Sequence, residues 1–172
     1  MGKFQIFTDS CSELSTELRK QYNIEYCYMS VIVNGVEKHA DLDWKEFTQK
    51  EFYNWMREGR TLKTTQVPIK EFIDKFEPFL KKGIDILYLA CSSALSASIS
   101  AMQLAKEDLI KKYPDRRIEG IDLLTSSCGE GMLCIEAAKR ANDGASLDEV
   151  MQWVEDNKQK FNQFATVETL EY

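Results

Sequence analysis

The sequence predicts an α/β protein: a mainly parallel sheet flanked by helices on both faces, with one hairpin near Asn34-Gly35. Three observations predict it. Short apolar runs alternate with segments of helical period. Hydroxyl-rich turns follow several of those runs. The run at 84–91 is apolar almost without a break, as expected of a central strand covered on both sides. Repeated strand-then-helix units imply parallel strands joined by crossovers.

Phe4-Gln5-Ile6-Phe7 reads as the first strand, running into the polar turn Thr8-Asp9-Ser10. Ser10 and Glu13 have capping-box spacing for a helix through Tyr22. The stretch 26–33 is rich in aromatic and β-branched residues and meets Asn34-Gly35, a dipeptide that accepts the positive φ angles of a tight hairpin before Val36-Glu37-Lys38 returns. Over 44–56, Trp44, Phe47, Phe52, Trp55 and Met56 recur near helical period, and Gly59 follows as a stop. Residues 63–66 read as a polar turn. Pro68 suits a first helical turn, and Ile69, Phe72, Ile73, Phe76 and Leu80 then form one apolar face up to Gly83.

Serines stand at 92, 93, 96, 98 and 100 after the central strand, and 98–112 reads as helix with Ile99, Met102, Ala105 and Leu109 on one face. A strand over 118–124 leads through Thr125-Ser126-Ser127 to Gly129-Glu130-Gly131 and a helix over 132–141. The two glycines suit close approach of that helix to the sheet. Ser146 and Glu149 form a second capping box, for a helix ending near Phe161. Residues 1–161 are expected to be one α/β domain. Residues 164–170 resemble the start of another strand, so 162–172 is expected to open a truncated second domain.

Composition narrows the function. The net charge of −6 is spread along the chain without basic clusters, which argues against a nucleic-acid partner. No apolar run is long enough for stable membrane insertion and no basic-then-apolar leader is visible at the N-terminus, so a cytoplasmic protein is expected. Five cysteines form no C-x-x-C pair and His39 is the single histidine, which disfavours a structural metal. The cysteines, Cys91 among them, read as buried inert thiols. His39 reads as an exposed loop residue rather than a base, so the serines lack the partner a nucleophile needs. Gly129-Glu130-Gly131 lacks the third glycine of a dinucleotide fingerprint, and no catalytic residue is assigned.

In open parallel sheets, ligands settle beyond the carboxyl ends of the strands, where helix starts supply free N–H groups. The turns 8–10, 64–66, 92–96 and 125–127 stand at such places and offer neutral hydroxyl donors, a natural set for a carboxylate or phosphate. Helix capping is the competing use of each hydroxyl.

Taken in order, Thr8-Asp9-Ser10, Thr64-Thr65-Gln66-Val67-Pro68, Ser92-Ser93-Ala94-Leu95-Ser96-Ala97, and Asp122 through Gly129-Glu130-Gly131 resemble the motifs of the DegV family. The resemblance spans essentially the whole chain. It implies a protein that performs no chemistry itself, uses no cofactor, and holds a long-chain fatty acid by its carboxylate, with a fatty-acid kinase as a partner. It assigns the carboxylate to Thr64, Thr65, Ser92, Ser93 and Ser96, with Asp9, Ser10, Ser126 and Ser127 at the pocket rim. This sequence departs from the family at Thr65, where serine is usual, at Gln-Val-Pro in place of Gln-Pro-Ser, and at Ala94 and Ala97, where glycine is typical. Other readings are a phosphate- or nucleotide-binding enzyme, and a truncated scaffold without ligand. An apolar rim left open would favour a homo-dimer.

Overall fold

A computed structural model describes residues 4–164 and 166. Four parallel strands form sheet A in the order β2-β1-β6-β7: β1 (Phe4–Asp9), β2 (Ile24–Cys27), β6 (Asp85–Ala90) and β7 (Ile118–Asp122). Three antiparallel strands form sheet B in the order β4-β3-β5: β3 (Met29–Val33), β4 (Val36–Ala40) and β5 (Leu62–Thr65). The helices are α1 (Thr16–Tyr22), α2 (Gln49–Arg57), α3 (Ile69–Leu80), α4 (Ser98–Lys112), α5 (Ser127–Asn142) and α6 (Leu147–Asn157).

Strand alternation decides which helix covers which face of sheet A. Leu87 and Leu89 point to the side of α5 and α6, where they meet Leu133, Ala137, Val150 and Val154. Ile86 and Tyr88 point the other way, onto Phe72 and Phe76 of α3 and Met102 and Ala105 of α4. β6 is thus buried on both faces, as its unbroken apolar run predicts. Each fully covered Phe or Leu there contributes about 1.5–3 kcal/mol.

The hairpin is present: Val33 pairs with Val36, and Asn34 and Gly35 have φ of 49° and 85°. The run 26–33 is not one strand, however. It breaks at Tyr28, so that Ile24–Cys27 pairs with β1 in sheet A while Met29–Val33 centres sheet B. A continuous run of β-formers cannot disclose that it serves two sheets.

Other boundaries move for local reasons. Ser10 does not cap α1. Glu13 takes a left-handed conformation with φ 53°, which closes a short 3₁₀ turn at Ser10–Ser12, and Ser15 caps α1 through Leu18 N–H. Trp44 and Phe47 lie outside α2, which starts at the Thr48–Glu51 capping box. They still pack with Phe52 and Trp55. The expected polar turn at 63–66 is mostly strand, because Thr64 pairs with Val31 and Thr65 with Ser30. β7 ends at Asp122 rather than at Leu124, whose φ is 58°.

Gly129 and Gly131 lie within α5, which begins five residues earlier than expected. A Cβ on Gly131 would stand 2.5 Å from the Ser12 carbonyl oxygen. The close approach is therefore to the turn after β1. His39 belongs to β4, where it stacks on Tyr28 and pairs with Glu46. Cys27, Cys91 and Cys134 are buried as expected, but Cys11 is half-buried and Cys128 exposed. The strand expected over 164–170 lies outside the described residues apart from Phe164 and Thr166, which have no regular structure.

Candidate functional site

Two features meet at the carboxyl edge of sheet A: a set of open helix starts and a cavity. Ser15, Thr48 and Ser146 cap α1, α2 and α6 with their side chains. The three helices that follow β5, β6 and β7 differ. α3, α4 and α5 begin after Pro68, Ala97 and Ser126, none of which caps its helix with its own side chain. Uncapped starts leave N–H donors and the positive end of the helix dipole available to an anion.

The segment carrying Thr64 and Thr65 meets the serine loop after β6 through a residue that sequence reasoning placed only on a helix. The Ser98 hydroxyl accepts from Val67 N–H at 3.0 Å and lies 2.8 Å from the Ser96 hydroxyl. Ser98 is completely buried. A serine at a helix start with a proline-flanked amide to bind gives no periodic signal.

Within the loop, much of the hydrogen bonding is internal. Ser92 Oγ accepts from Ala94 N–H, and Ser96 Oγ accepts from Ser98 N–H. Ser93 N–H donates to Asp122 at 3.1 Å. Burial works to raise the Asp122 carboxyl, but the Ser93 hydroxyl, the Leu124 and Ser93 amides and Lys158 together hold it below the ordinary range. An anion arriving at Ser93 thus competes with a charged carboxylate already bound there.

A cavity of about 750 Å³, within the usual range for ligand pockets, lies between this edge and sheet B. Ser10, Ser15, Thr64, Ser126 and Ser127 give it a hydroxyl wall. Leu14, Met29, Val31, Phe47 and Phe52 give it an apolar one. Glu13 and Asp41 also border it, and among the described residues no lysine, arginine or histidine does. Any carboxylate bound there relies on neutral donors and must stay clear of the two acids. Ser30 borders the cavity as well, and its hydroxyl is buried without a hydrogen-bond partner among the described residues. Inside a run of β-formers, nothing in the sequence marked it.

Of the predicted site residues, Ser10, Thr64, Ser126 and Ser127 line this cavity, while Thr65, Ser92, Ser93 and Ser96 lie outside its lining. Asp9 is not at a rim. It is fully buried and accepts from Cys11 N–H, Cys91 N–H and the Tyr88 hydroxyl at 2.9, 3.1 and 2.8 Å. Glu130 is buried beside it, accepting from the Thr8 hydroxyl with one oxygen and, among the described residues, from nothing with the other. Burial first, and then Asp9, pushes the Glu130 carboxyl well up. Asp9 is also raised by burial but has three donors pulling it back, so Glu130 is the member of the pair that keeps its proton. Among the described residues, no cluster could hold a metal ion and no helix is long and apolar enough to cross a membrane.

A parallel sheet covered by helices on both faces, with a half-apolar cavity beside its carboxyl edge, defines an α/β domain. The DegV family model, described as an uncharacterised protein family, matches residues 3–172, and the chain belongs to that family. It is 41% identical over 172 residues to DegV domain-containing protein CPE0026 of Clostridium perfringens, covering all of this chain and 59% of that protein. A DegV family protein from Thermus thermophilus, whose structure is described as one of fatty acid binding, superposes with a TM-score of 0.79 at 26% identity, over 91% of this chain and 53% of that one. The fold is also that of the Streptococcus pneumoniae Fatty Acid Kinase B3 protein loaded with linoleic acid, with a TM-score of 0.75 at 18% identity, over 92% of this chain and 55% of that one. The chain spans little more than half the length of these proteins.

Proposed function

We propose that this chain binds a long-chain fatty acid, holding the carboxylate at the edge where α3, α4 and α5 begin and directing the acyl chain along apolar surface. The carrying observation is that these three helix starts, and not those of α1, α2 and α6, lack side-chain caps. Thr64, Thr65, Ser92, Ser93 and Ser96 are assigned to the carboxylate, and Ser10, Ser126 and Ser127 to the adjoining wall. The fatty acid kinase relationship in the name of the S. pneumoniae protein supports a role in presenting the lipid to a kinase, with the chain itself binding rather than catalysing.

Native mass spectrometry of the purified protein, as isolated and after oleate addition, tests this. One fatty acid per chain is expected. Thr64→Val should weaken oleate binding on the scale of one hydrogen bond to a charged group, about 1.5–3 kcal/mol, with unchanged thermal stability. Absence of bound acid in both preparations of the folded protein would defeat the proposal.

A further inference from the structure

We propose that Cys11 and Cys91 form a redox pair that hydroperoxides oxidise to a disulfide, joining the carboxyl ends of β1 and β6. This does not depend on the lipid-binding reading. β1 and β6 are neighbouring parallel strands in which Phe7 faces Tyr88, so both chains leave the sheet side by side. Cys91 directly follows β6, and Cys11 lies in the turn just after β1. Both backbone amides donate to one carboxyl group, Cys11 to Oδ1 and Cys91 to Oδ2 of Asp9. That shared anchor fixes the two residues on either side of a single side chain. A disulfide spans Cα atoms about 4.4–6.8 Å apart, and neighbouring strands lie about 4.8 Å apart.

The two sulfurs differ in access and in basicity. Cys11 lines the cavity and is half-buried, whereas Cys91 is 1% exposed. The neighbouring Cys11 thiol draws the Cys91 thiol below its ordinary value, while Cys91 and burial push Cys11 up. Cys11 is the sulfur a peroxide meets, and Cys91 is the one that resolves it. In the first step the Cys11 sulfur attacks the distal oxygen, the S–O bond forms, the O–O bond breaks, and the alkoxide or hydroxide released takes the Cys11 proton. In the second, the Cys91 sulfur attacks Cys11 Sγ, the S–S bond forms, the S–O bond breaks, and the hydroxide released takes the Cys91 proton to leave as water. The thiols lose two electrons in all, and the peroxide gains them. Met29, whose sulfur lies 3.5 Å from Cys11, packs against the reacting side chain from sheet B.

Hydrogen peroxide treatment of the folded protein, followed by thiol alkylation and peptide mapping, is the test. A cross-link between the peptides carrying Cys11 and Cys91 is expected, reversible by dithiothreitol, with Cys27 and Cys134 still alkylated after unfolding. In Cys91→Ser, Cys11 should stop at a sulfenic acid that dimedone traps. In Cys11→Ser, Cys91 should stay reduced. Should either variant fail to fold, the wild-type map still decides. Oxidation confined to exposed Cys128, or a Cys11 sulfenic acid that persists with Cys91 intact, would overturn the proposal.

Discussion

Sheet A and the sheet B lobe are stabilised in different ways. Sheet A is sandwiched, with α1, α5 and α6 on one face and α3 and α4 on the other, and its central strands β1 and β6 are buried nearly throughout. The lobe of β3, β4, α2 and β5 has a small cluster of Val31, Val33 and Phe47, completed by the partly exposed Trp44, Phe52 and Trp55. The lobe therefore depends on its attachments. Met29 N–H donates to Ser10 Oγ, Val67 N–H donates to Ser98 Oγ, and Asp43 accepts from both Thr16 and Arg19 at 2.5 Å. The cavity lies along this seam, so a weakly self-supporting element forms one wall of the candidate site. Local opening concentrates where buried apolar contacts are few.

The largest expected effect is in the sandwich. Phe72→Ala should cost about 3–5 kcal/mol in urea unfolding. Phe47→Ala should cost less than half of that globally, and hydrogen exchange should rise in β3 to β5 while β1 and β6 stay protected. Equal global losses would break the distinction between the two regions.

The attachments come next. Ser98→Ala leaves the buried Val67 amide without its acceptor and should cost about 1–3 kcal/mol. Asp43→Asn should cost about 1–2 kcal/mol, a charged hydrogen bond discounted for the quarter of the carboxylate that stays in water. The Thr16 hydroxyl, against some cost of burial, and then Arg19 hold Asp43 at about 2, below its ordinary 3.8. A depressed carboxylate contributes fully above its unfolded value and loses that contribution as pH falls through the folded one. The Asp43 share should thus vanish between about pH 4 and 2, and the variant and wild-type stability curves should converge there.

The smallest effect near pH 4 is that of Glu130→Gln, and it grows with pH. The folded protein keeps the Glu130 proton while the unfolded chain loses it above the ordinary value of 4.5. Wild-type stability therefore falls as pH rises above 4.5, by an amount absent from the glutamine variant. Thermal unfolding across pH 4–8 measures the difference, and parallel curves would place the shared proton elsewhere than on Glu130.

Much of sheet A was legible because its chemistry is local and repeated. The 84–91 run, the Phe72-Phe76-Leu80 stripe and the Ser146–Glu149 box each state their structure within a dozen residues. The hydroxyl turns at 8–10, 92–96 and 125–127 were read at strand ends, and they lie at the ends of β1, β6 and β7. Capping, the competing use of those hydroxyls, could not be resolved from sequence, since Ser15 and Ser146 cap helices while Ser126 does not. Pairing partners were out of reach as well. Whether Thr64 lay in a turn or beside Val31 depends on a strand more than thirty residues away.

Periodicity and turn chemistry, read from the chain alone, determined the α/β class, the buried central strand and the hairpin at Asn34-Gly35, because each rests on interactions between near neighbours. Tertiary structure alone decided that 24–33 serves two sheets, that Ser98 joins two distant loops, and that the Cys11 and Cys91 amides share the Asp9 carboxylate. Those outcomes depend on which surfaces are brought together, and burial energy is non-directional: it rewards covering an apolar face without encoding which distant residue covers it.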